Sequence, residues 1–504
     1  MSKRTEHPQP PNGVGRTFAS QALARRAGRN VAWSFVGDGL SRLVVVLTSL
    51  YLARKLSAES FGLFALGQAV GQYAAIVMDL AANSSYAVRE IAQNNPECAT
   101  LVGRFLALRL ITALGLVATA ALVTTTAALA GARLPAAIVV STLFAPAFAL
   151  FPDWAFRGLE RMRILAIGYG VMAISFCGLV LAFVGSSDDP VPALLSWLAS
   201  YALGGAVLVA LLRVRCGVHF PLWVPTKRDF GGWRSSAQFT IAGVLGISLS
   251  QGALLLVGVF SGPASAGLFG APLRIVLAIS TIGVVATNAV YPILASLAGQ
   301  RASLLKASSC LAKWMLLAGT PLAVIGSVWA DEIVRLVLGI KYTNAGRVLG
   351  ILVWSIPASF VVYALEYALL SLGKERRRLI GDVAAAAVLA VIGVPLVAFF
   401  GEVGAAIAYS LSIGALLVAF SVGLHGLRLP PRSWLIGAAK SAMLVGGSCA
   451  ATLFLRHMLV APYSMVAAAV VYLAAVAIAF SPSRHGISAL LTATSRTSRE
   501  SPGR

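Results

Sequence analysis

The sequence predicts an all-α polytopic membrane protein of about 14 transmembrane helices, two parallel six-helix repeats plus two C-terminal helices. Three observations carry this. Hydrophobic residues fill 58% of the 504 positions, charged residues only 12%, and the mean hydropathy is +0.84, whereas soluble domains carry about 25% charged residues. Apolar runs close to the twenty residues a helix needs to cross a bilayer recur from Val31 to Phe480. Basic residues gather in alternate connections between these runs.

Taken in order, residues 1–29 form a basic cytoplasmic tail whose Arg25, Arg26 and Arg29 adjoin the first run and face anionic lipid. No apolar stretch followed by a small-residue cleavage site occurs there, so no cleavable signal peptide is expected. The first bundle, 30–213, opens with a span at 31–52, crosses an outer turn with Arg54 and Lys55, and returns through 63–86. Arg89, Arg104 and Arg109 are assigned to the next inner segment, and 105–130 leads out to Arg133. The chain comes back through 135–152 to Arg157, Arg161 and Arg163, then passes out and in through 165–185 and 192–212.

A cytoplasmic linker, 214–235, holds Arg215, Lys227, Arg228 and Arg234. The second bundle, 236–425, repeats the pattern with spans at 236–260, 268–291, 311–330, 347–371, 380–400 and 403–424. Its inner segments hold Arg301, Lys306 and Lys313, then Lys374 and Arg376 to Arg378; the outer ones hold only Arg335, Lys341 and Arg347. Spans at 436–456 and 461–480 make up the additional pair, 426–480, and residues 481–504 are a second cytoplasmic tail.

With both termini inside, 31 of the 40 lysines and arginines face the cytoplasm, and Arg42 and Arg274 fall within the membrane. That is the positive-inside pattern of a multi-pass plasma-membrane protein. The net charge of +22 therefore reports topology. Nucleic-acid binding would need the charge gathered on one surface beside aromatic partners, and no nucleic-acid partner is expected. The cysteines Cys98, Cys177, Cys216, Cys310 and Cys449 show no paired spacing, against both disulfides and metal. No HExxH, Walker A, paired CxxC or Gly-x-Ser-x-Gly occurs, so a cofactor-free transporter is expected rather than an enzyme.

Two elements occur twice in the same order. Gly62-Leu63-Phe64-Ala65 returns as Gly267-Leu268-Phe269-Gly270, and Gly158-Leu159-Glu160-Arg161-Met162-Arg163 returns as Gly373-Lys374-Glu375-Arg376-Arg377-Arg378. Such duplication marks a transporter made of two related bundles with its substrate between them. Six spans per half is even, so both halves enter from the same side and the repeat is parallel.

The stretch from Arg29 to Ala92 carries Ser41-Arg42, Leu52-Ala53-Arg54-Lys55-Leu56, Phe61-Gly62-Leu63-Phe64, Asp79-Leu80 and Val88-Arg89-Glu90-Ile91-Ala92. Further on stand Phe156-Arg157-Gly158-Leu159-Glu160-Arg161-Met162, Ala266-Gly267-Leu268-Phe269 with Arg274, Tyr291-Pro292, and Leu370-Ser371-Leu372-Gly373-Lys374. In this order and spacing the chain, over roughly residues 25 to 425, resembles the Wzx-type polysaccharide/oligosaccharide flippase family of the multidrug/oligosaccharidyl-lipid/polysaccharide exporter superfamily. It departs from that pattern at Ser57-Ala58-Glu59, at Phe64 and Phe269 in place of Tyr, and at Ala81 after Asp79-Leu80. Gln251 is neutral where many members carry an acidic residue late in span seven.

Four ionisable groups fall inside spans, where a charge costs a few kcal/mol and normally faces a cavity or a partner. Asp38 and Arg42 are one helical turn apart and can neutralise each other; alternatively Arg42 lines the cavity and binds an anionic headgroup, with Asp38 tuning it or carrying a proton. Arg274 has no acidic residue within a turn. Lying about a turn inside its apolar run, it either snorkels to the outer interface or binds phosphate through its planar fork. Asp79 reads first as a structural polar contact and second as an ion carrier. Glu160 with Arg163, and Glu375 with Arg378, have the i,i+3 spacing of solvated ion pairs.

The resemblance implies a flippase that moves a polyprenyl-diphosphate-linked oligosaccharide across the plasma membrane for surface or exopolysaccharide biosynthesis. Its partners would be the undecaprenyl-diphosphate-linked oligosaccharide itself, membrane lipid, and the polysaccharide polymerase and chain-length machinery. A small-solute or drug antiporter of the same superfamily is the first alternative. A membrane polymerase or ligase is the second, disfavoured because the longest outer connection, near Asp331 to Arg347, is short.

Overall fold

A computed structural model describes residues 39–82, 98–129, 135–185, 188–216 and 243–425, with a few isolated positions besides. The two tails, most of the linker 217–235, the pair of spans expected at 426–480, and Asp38 lie outside the described residues. Among the described residues every regular element is helical.

The first half comprises α1 (39–55), α2 (Ala58–Ala82) and α3 (Cys98–Leu129), then three short helices, α4 (Ala136–Ser141), α5 (Phe144–Ala149) and α6 (Asp153–Gly158). It ends with α7 (Met162–Phe183) and α8 (Val191–Cys216). The described second half begins with a helical turn at 243–247 that runs into a π-helical turn, Ser248–Gly252, followed by α9 (Ala253–Ser296), α10 (Arg301–Val328) and α11 (Ala330–Val337). After a 3-10 turn, Ile340–Ala345, come α12 (Gly346–Leu352), α13 (Ser355–Ser371), α14 (Glu375–Val388), a second π turn, Leu389–Gly393, and α15 (Val394–His425).

By length and composition, eight described helical stretches are apolar enough to cross a membrane, or nine when α12 and α13, bent by 44°, count as one span. Two of the eight are hairpins. In α9 the backbone leaves helical geometry at Gly262 (φ 85°, ψ 176°), and Leu254 of the first arm lies against Gly270 of the second. In α15 the break is at Gly401 (φ 56°, ψ −131°), with Leu396 folded back on Gly404. Both φ values lie where only glycine is comfortable. The second arm of α9 thus starts at Pro263, a residue suited to the first helical turn, and not at the apolar boundary near residue 268. Several helices start further into their polar flanks than the apolar runs suggest, α2 at Ala58, α3 at Cys98 and α10 at Arg301.

The first repeated element is real in three dimensions. Ala58 begins α2 and Pro263 begins the second arm of α9, the same 205-residue offset that separates Gly62 from Gly267. Phe61, Phe64 and Phe269 are fully buried in one core that spans both halves, with Phe61 edge-on to Tyr342 at 6.4 Å. The second element is in a different register from the one the letters suggest. Arg161 donates its amide to the Phe156 carbonyl and Glu160 to Arg157; Lys374 likewise donates to Leu369 and Gly373 to Leu370. The residues at positive φ are Glu160 (53°) and Gly373 (65°). Two matching left-handed helix ends therefore align Glu160, not Gly158, with Gly373.

This geometry also revises the expected ion pairs. Glu160 sits in a turn ahead of α7, so it does not share a helical face with Arg163. Arg378 reaches from α14 to Glu366 on α13 at 2.9 Å.

Candidate functional site

The term "outer" below denotes the face poor in lysine and arginine. There the halves are tied together. Arg54 donates to the Leu336 carbonyl (3.3 Å), Lys341 to the Lys55 carbonyl (3.2 Å), and the Tyr342 hydroxyl to the Ser57 carbonyl (3.4 Å). Asp188, from the α7–α8 connection, accepts the Ser57 amide at 2.7 Å. That bond, then the Ser57 hydroxyl, holds the Asp188 carboxyl below its usual range. Ser57 itself precedes α2 and accepts the Ser60 amide, an N-cap that starts the helix where Ser57-Ala58-Glu59 stands.

Just inward, α2 crosses the second arm of α9 with almost no separation. A Cβ added to Gly62 would stand 1.8 Å from the Pro263 carbonyl oxygen, and one added to Gly267 would stand 1.8 Å from the Ala58 carbonyl oxygen. Gly67 and Gly71, four apart on α2, lie less tightly against α8 and α4–α5, where an added Cβ would stand 3.0 Å from Leu194 and 2.9 Å from Phe144, a packing role.

Deeper still, a layer of polar side chains joins the halves. Arg274 Nη2 donates to Gln68 Oε1 at 2.5 Å, Gln251 Nε2 to Gln72 Oε1 at 3.1 Å, and the Tyr73 hydroxyl to Ser248 Oγ at 3.0 Å. Gln68 is 2% exposed and Gln251 8%. Gln68 and Arg274 stand ten and eleven residues from the starts of their helices at Ala58 and Pro263, about 15–17 Å at 1.5 Å per residue. That is the middle of a ~30 Å hydrocarbon slab. Ser248 and Gln251 lie in the π turn; the extra residue of such a turn re-aims side chains and is common at functional sites.

Of the sequence-derived site residues, Arg42, Asp79 and Arg274 have a place, and Asp38 lies outside the described residues. Arg274 lies three turns deep in its helix, too far in to snorkel, and among the described residues it bonds an amide and no carboxylate. Arg42 is exposed on α1, one turn from Gly39, whose open side faces Val285 on the second arm of α9. It is within electrostatic reach of Tyr363 and Tyr367 on α13. Both arginines thus border the junction between the halves. They do not share a level: counting back from Val285, Arg42 lies about 12 Å inward of Arg274. Asp79 forms an ion pair with Arg109 of α3 at 2.8 Å. Arg109, expected in an inner segment, is fully buried, also donating to the Phe151 carbonyl (3.2 Å) and lying 5.1 Å from the Phe148 ring centre.

The sequence reading passed over a second polar cluster. Glu366, paired with Arg378, lies in the apolar run 347–371, and Asp382, one turn beyond Arg378, is 7% exposed with Oδ2 unbonded. Tyr367 donates to Asn288 Oδ1, and its ring lies 4.9 Å from that of Tyr291. The test that selected Arg42 and Arg274, an ionisable group within an apolar run, also selects Glu366. The glutamines of the central layer carry no such signal, being neutral. Among the described residues, no group of three or more His, Cys, Asp or Glu could hold a metal ion.

Comparisons with known proteins fit this architecture. The chain is 27% identical over 398 residues to the Escherichia coli (strain K12) protein named "Putative O-antigen transporter", covering 75% of this chain and 92% of that one. Its fold is similar to that of the lipid II flippase MurJ in an inward closed conformation (TM-score 0.67, 12% identity, 89% of this chain and 98% of that one). It is also similar to an inward-facing multidrug resistance MATE family transporter of the MOP superfamily (TM-score 0.61, 15% identity, 80% and 95% covered). The family model described as "Polysaccharide biosynthesis protein" matches residues 27–298. That match covers more than half of the 504 residues, so the chain belongs to the polysaccharide biosynthesis protein family, and it is a multi-pass membrane protein with a fold like those of MurJ and the MATE transporter.

Proposed function

We propose that the protein flips a polyprenyl-diphosphate-linked oligosaccharide repeat unit from the inner to the outer leaflet of the plasma membrane, for surface or exopolysaccharide biosynthesis. One observation carries the substrate class. Arg274 places a guanidinium at mid-membrane, between the halves, bonded to a neutral amide. A charge at that depth is expensive unless it meets an opposite one, and a diphosphate offers the planar, bidentate match that arginine favours. Arg42, deeper toward the inner face on the same junction, makes a second station on one path.

Hydrated sugar and diphosphate would pass between the bundles while the lipid tail stays in the bilayer. Alternating access follows if the outer ties open as the inner side closes. Both termini lie in the cytoplasm on this reading, and the polysaccharide polymerase and chain-length machinery would take up the product at the outer face. Deleting the gene should stop one surface polysaccharide while its lipid-linked repeat unit accumulates facing the cytoplasm.

The antiporter reading draws support from Glu366 and Asp382, carboxylates in the second half suited to a cation. Unchanged polysaccharide with altered resistance to a cationic drug in the deletion strain would favour it.

A further inference from the structure

Gln68 and Arg274 bond across the junction between the halves, on the same two helix segments whose glycines cross at the outer face. Gln68 is six residues inward of Gly62 on α2, and Arg274 seven inward of Gly267 on α9. The outer face cannot open by parting these segments without breaking the Gln68–Arg274 bond. We propose that Gln68 is a positioning residue that latches the outer face shut through Arg274 until an anionic group of the substrate displaces it. This inference rests on the diphosphate reading above.

The competition is one-sided by chemistry. Gln68 offers one neutral amide oxygen, whereas a diphosphate offers several charged oxygens that the guanidinium fork can pair two at a time, adding charge attraction and a second bond. Once Arg274 turns to the anion, the remaining ties of the layer, Gln72–Gln251 and Tyr73–Ser248, are neutral. Occupancy of the site is thereby coupled to release of the outer face. The coupling also has a cost in affinity. The anion binds only when Gln68 is off, so its apparent affinity falls by the fraction of time Arg274 is free.

Opposite responses of two near-isosteric variants test this. The full chain in phosphatidylcholine nanodiscs is titrated with undecaprenyl diphosphate. Spin labels at Glu59, exposed at the outer end of α2, and at Ile340, 84% exposed in the facing outer turn, report the outer separation. Gln68→Leu removes the competing acceptor; it should tighten binding about fivefold and widen the outer distance before ligand is added. Gln68→Glu makes the competitor a carboxylate; it should weaken binding by about tenfold or more and keep the distance short with ligand present. A structural role alone would weaken binding in both variants, and that result would overturn the latch while leaving the diphosphate reading intact. No binding of undecaprenyl diphosphate to the unaltered protein would overturn the diphosphate reading, and the latch with it.

Discussion

Gly62 and Gly267, the first residues of the two copies of the Gly-Leu-Phe element, meet at the outer crossing in a reciprocal contact. Gly62 lies against Pro263, the first residue of the helix arm that carries Gly267, and Gly267 lies against Ala58, the first residue of the helix that carries Gly62. Residue i touches j and its repeat counterpart touches the counterpart of j, the pattern of a two-fold interface. The duplicated element is therefore the contact by which the two halves close on each other.

From this contact we predict that Gly62→Ala and Gly267→Ala each force the outer ends apart. The added methyl would meet a backbone carbonyl, which cannot swing away as a side chain does. Overpacking of this kind costs about 1–3 kcal/mol. Thermal unfolding in detergent should shift down, and a thiol probe at Ser57→Cys should react faster than in the unaltered background. Normal melting with full transport in Gly267→Ala would show that the crossing is not needed closed.

For Arg274, the expected result of Arg274→Ala is loss of flipping at a normal protein level. Arg274→Lys should recover only part of it, because lysine keeps the charge and loses the bidentate fork. Lipid-linked repeat units, assayed for their leaflet in vesicles, report the outcome. Full activity in Arg274→Ala would remove this residue from the substrate path.

What was legible in the sequence follows from what burial makes conspicuous. A charged residue stands out in an apolar run, so Arg42, Asp79 and Arg274 were visible. Gln68 and Gln72 were not, since a neutral amide in such a run looks like any tolerated polar residue, and Gln251 stood out only as a missing carboxylate; only the fold brings the three across the junction. Arg109 was misplaced because helix α3 begins at Cys98, ahead of its apolar run, which carries Arg109 into the membrane to meet Asp79. The second repeat element was aligned on its glycine letters, whereas the backbone repeats a left-handed turn that one half makes with Glu160. The two π turns leave no periodic mark that a sequence shows.

The Asp79–Arg109 pair leads to a stability prediction. Arg109→Leu takes this ion-pair partner from Asp79, whose side chain is 32% exposed, and should destabilise the protein by about 1–3 kcal/mol, the cost of removing a charged hydrogen-bond partner. The double change Asp79→Leu/Arg109→Leu removes both charges and should recover much of that loss. Detergent melting temperatures of the single and double variants measure this. A double variant no more stable than Arg109→Leu would mean that Asp79 contributes through other contacts.

Topology is tested by reporter fusions. Fusions after Gly185 and Gly262 should report the outside, and fusions after Gly217 and Arg376 the inside. Gly185 and Gly262 lie at hairpin or loop positions on the face that holds Arg54, Asp188 and Lys341. Reversal of both members of either pair would invalidate the assignment of inner and outer faces.

Arg42 poses the sharpest question, because Asp38 stands four residues before it in the sequence and either could serve the other. If Arg42 only neutralises Asp38, then Arg42→Ala fails by leaving a carboxylate alone in the apolar span. Removing both groups, in Asp38→Ala/Arg42→Ala, should then restore much of the lost activity. If Arg42 instead contacts the diphosphate, the double variant lacks a substrate ligand and should stay inactive. The position of Arg42 on the face of α1 turned toward Val285 and α13 leads us to expect the second outcome. Flipping measured in the two single variants and the double variant decides it, and recovery in the double variant would reduce Arg42 to a charge partner.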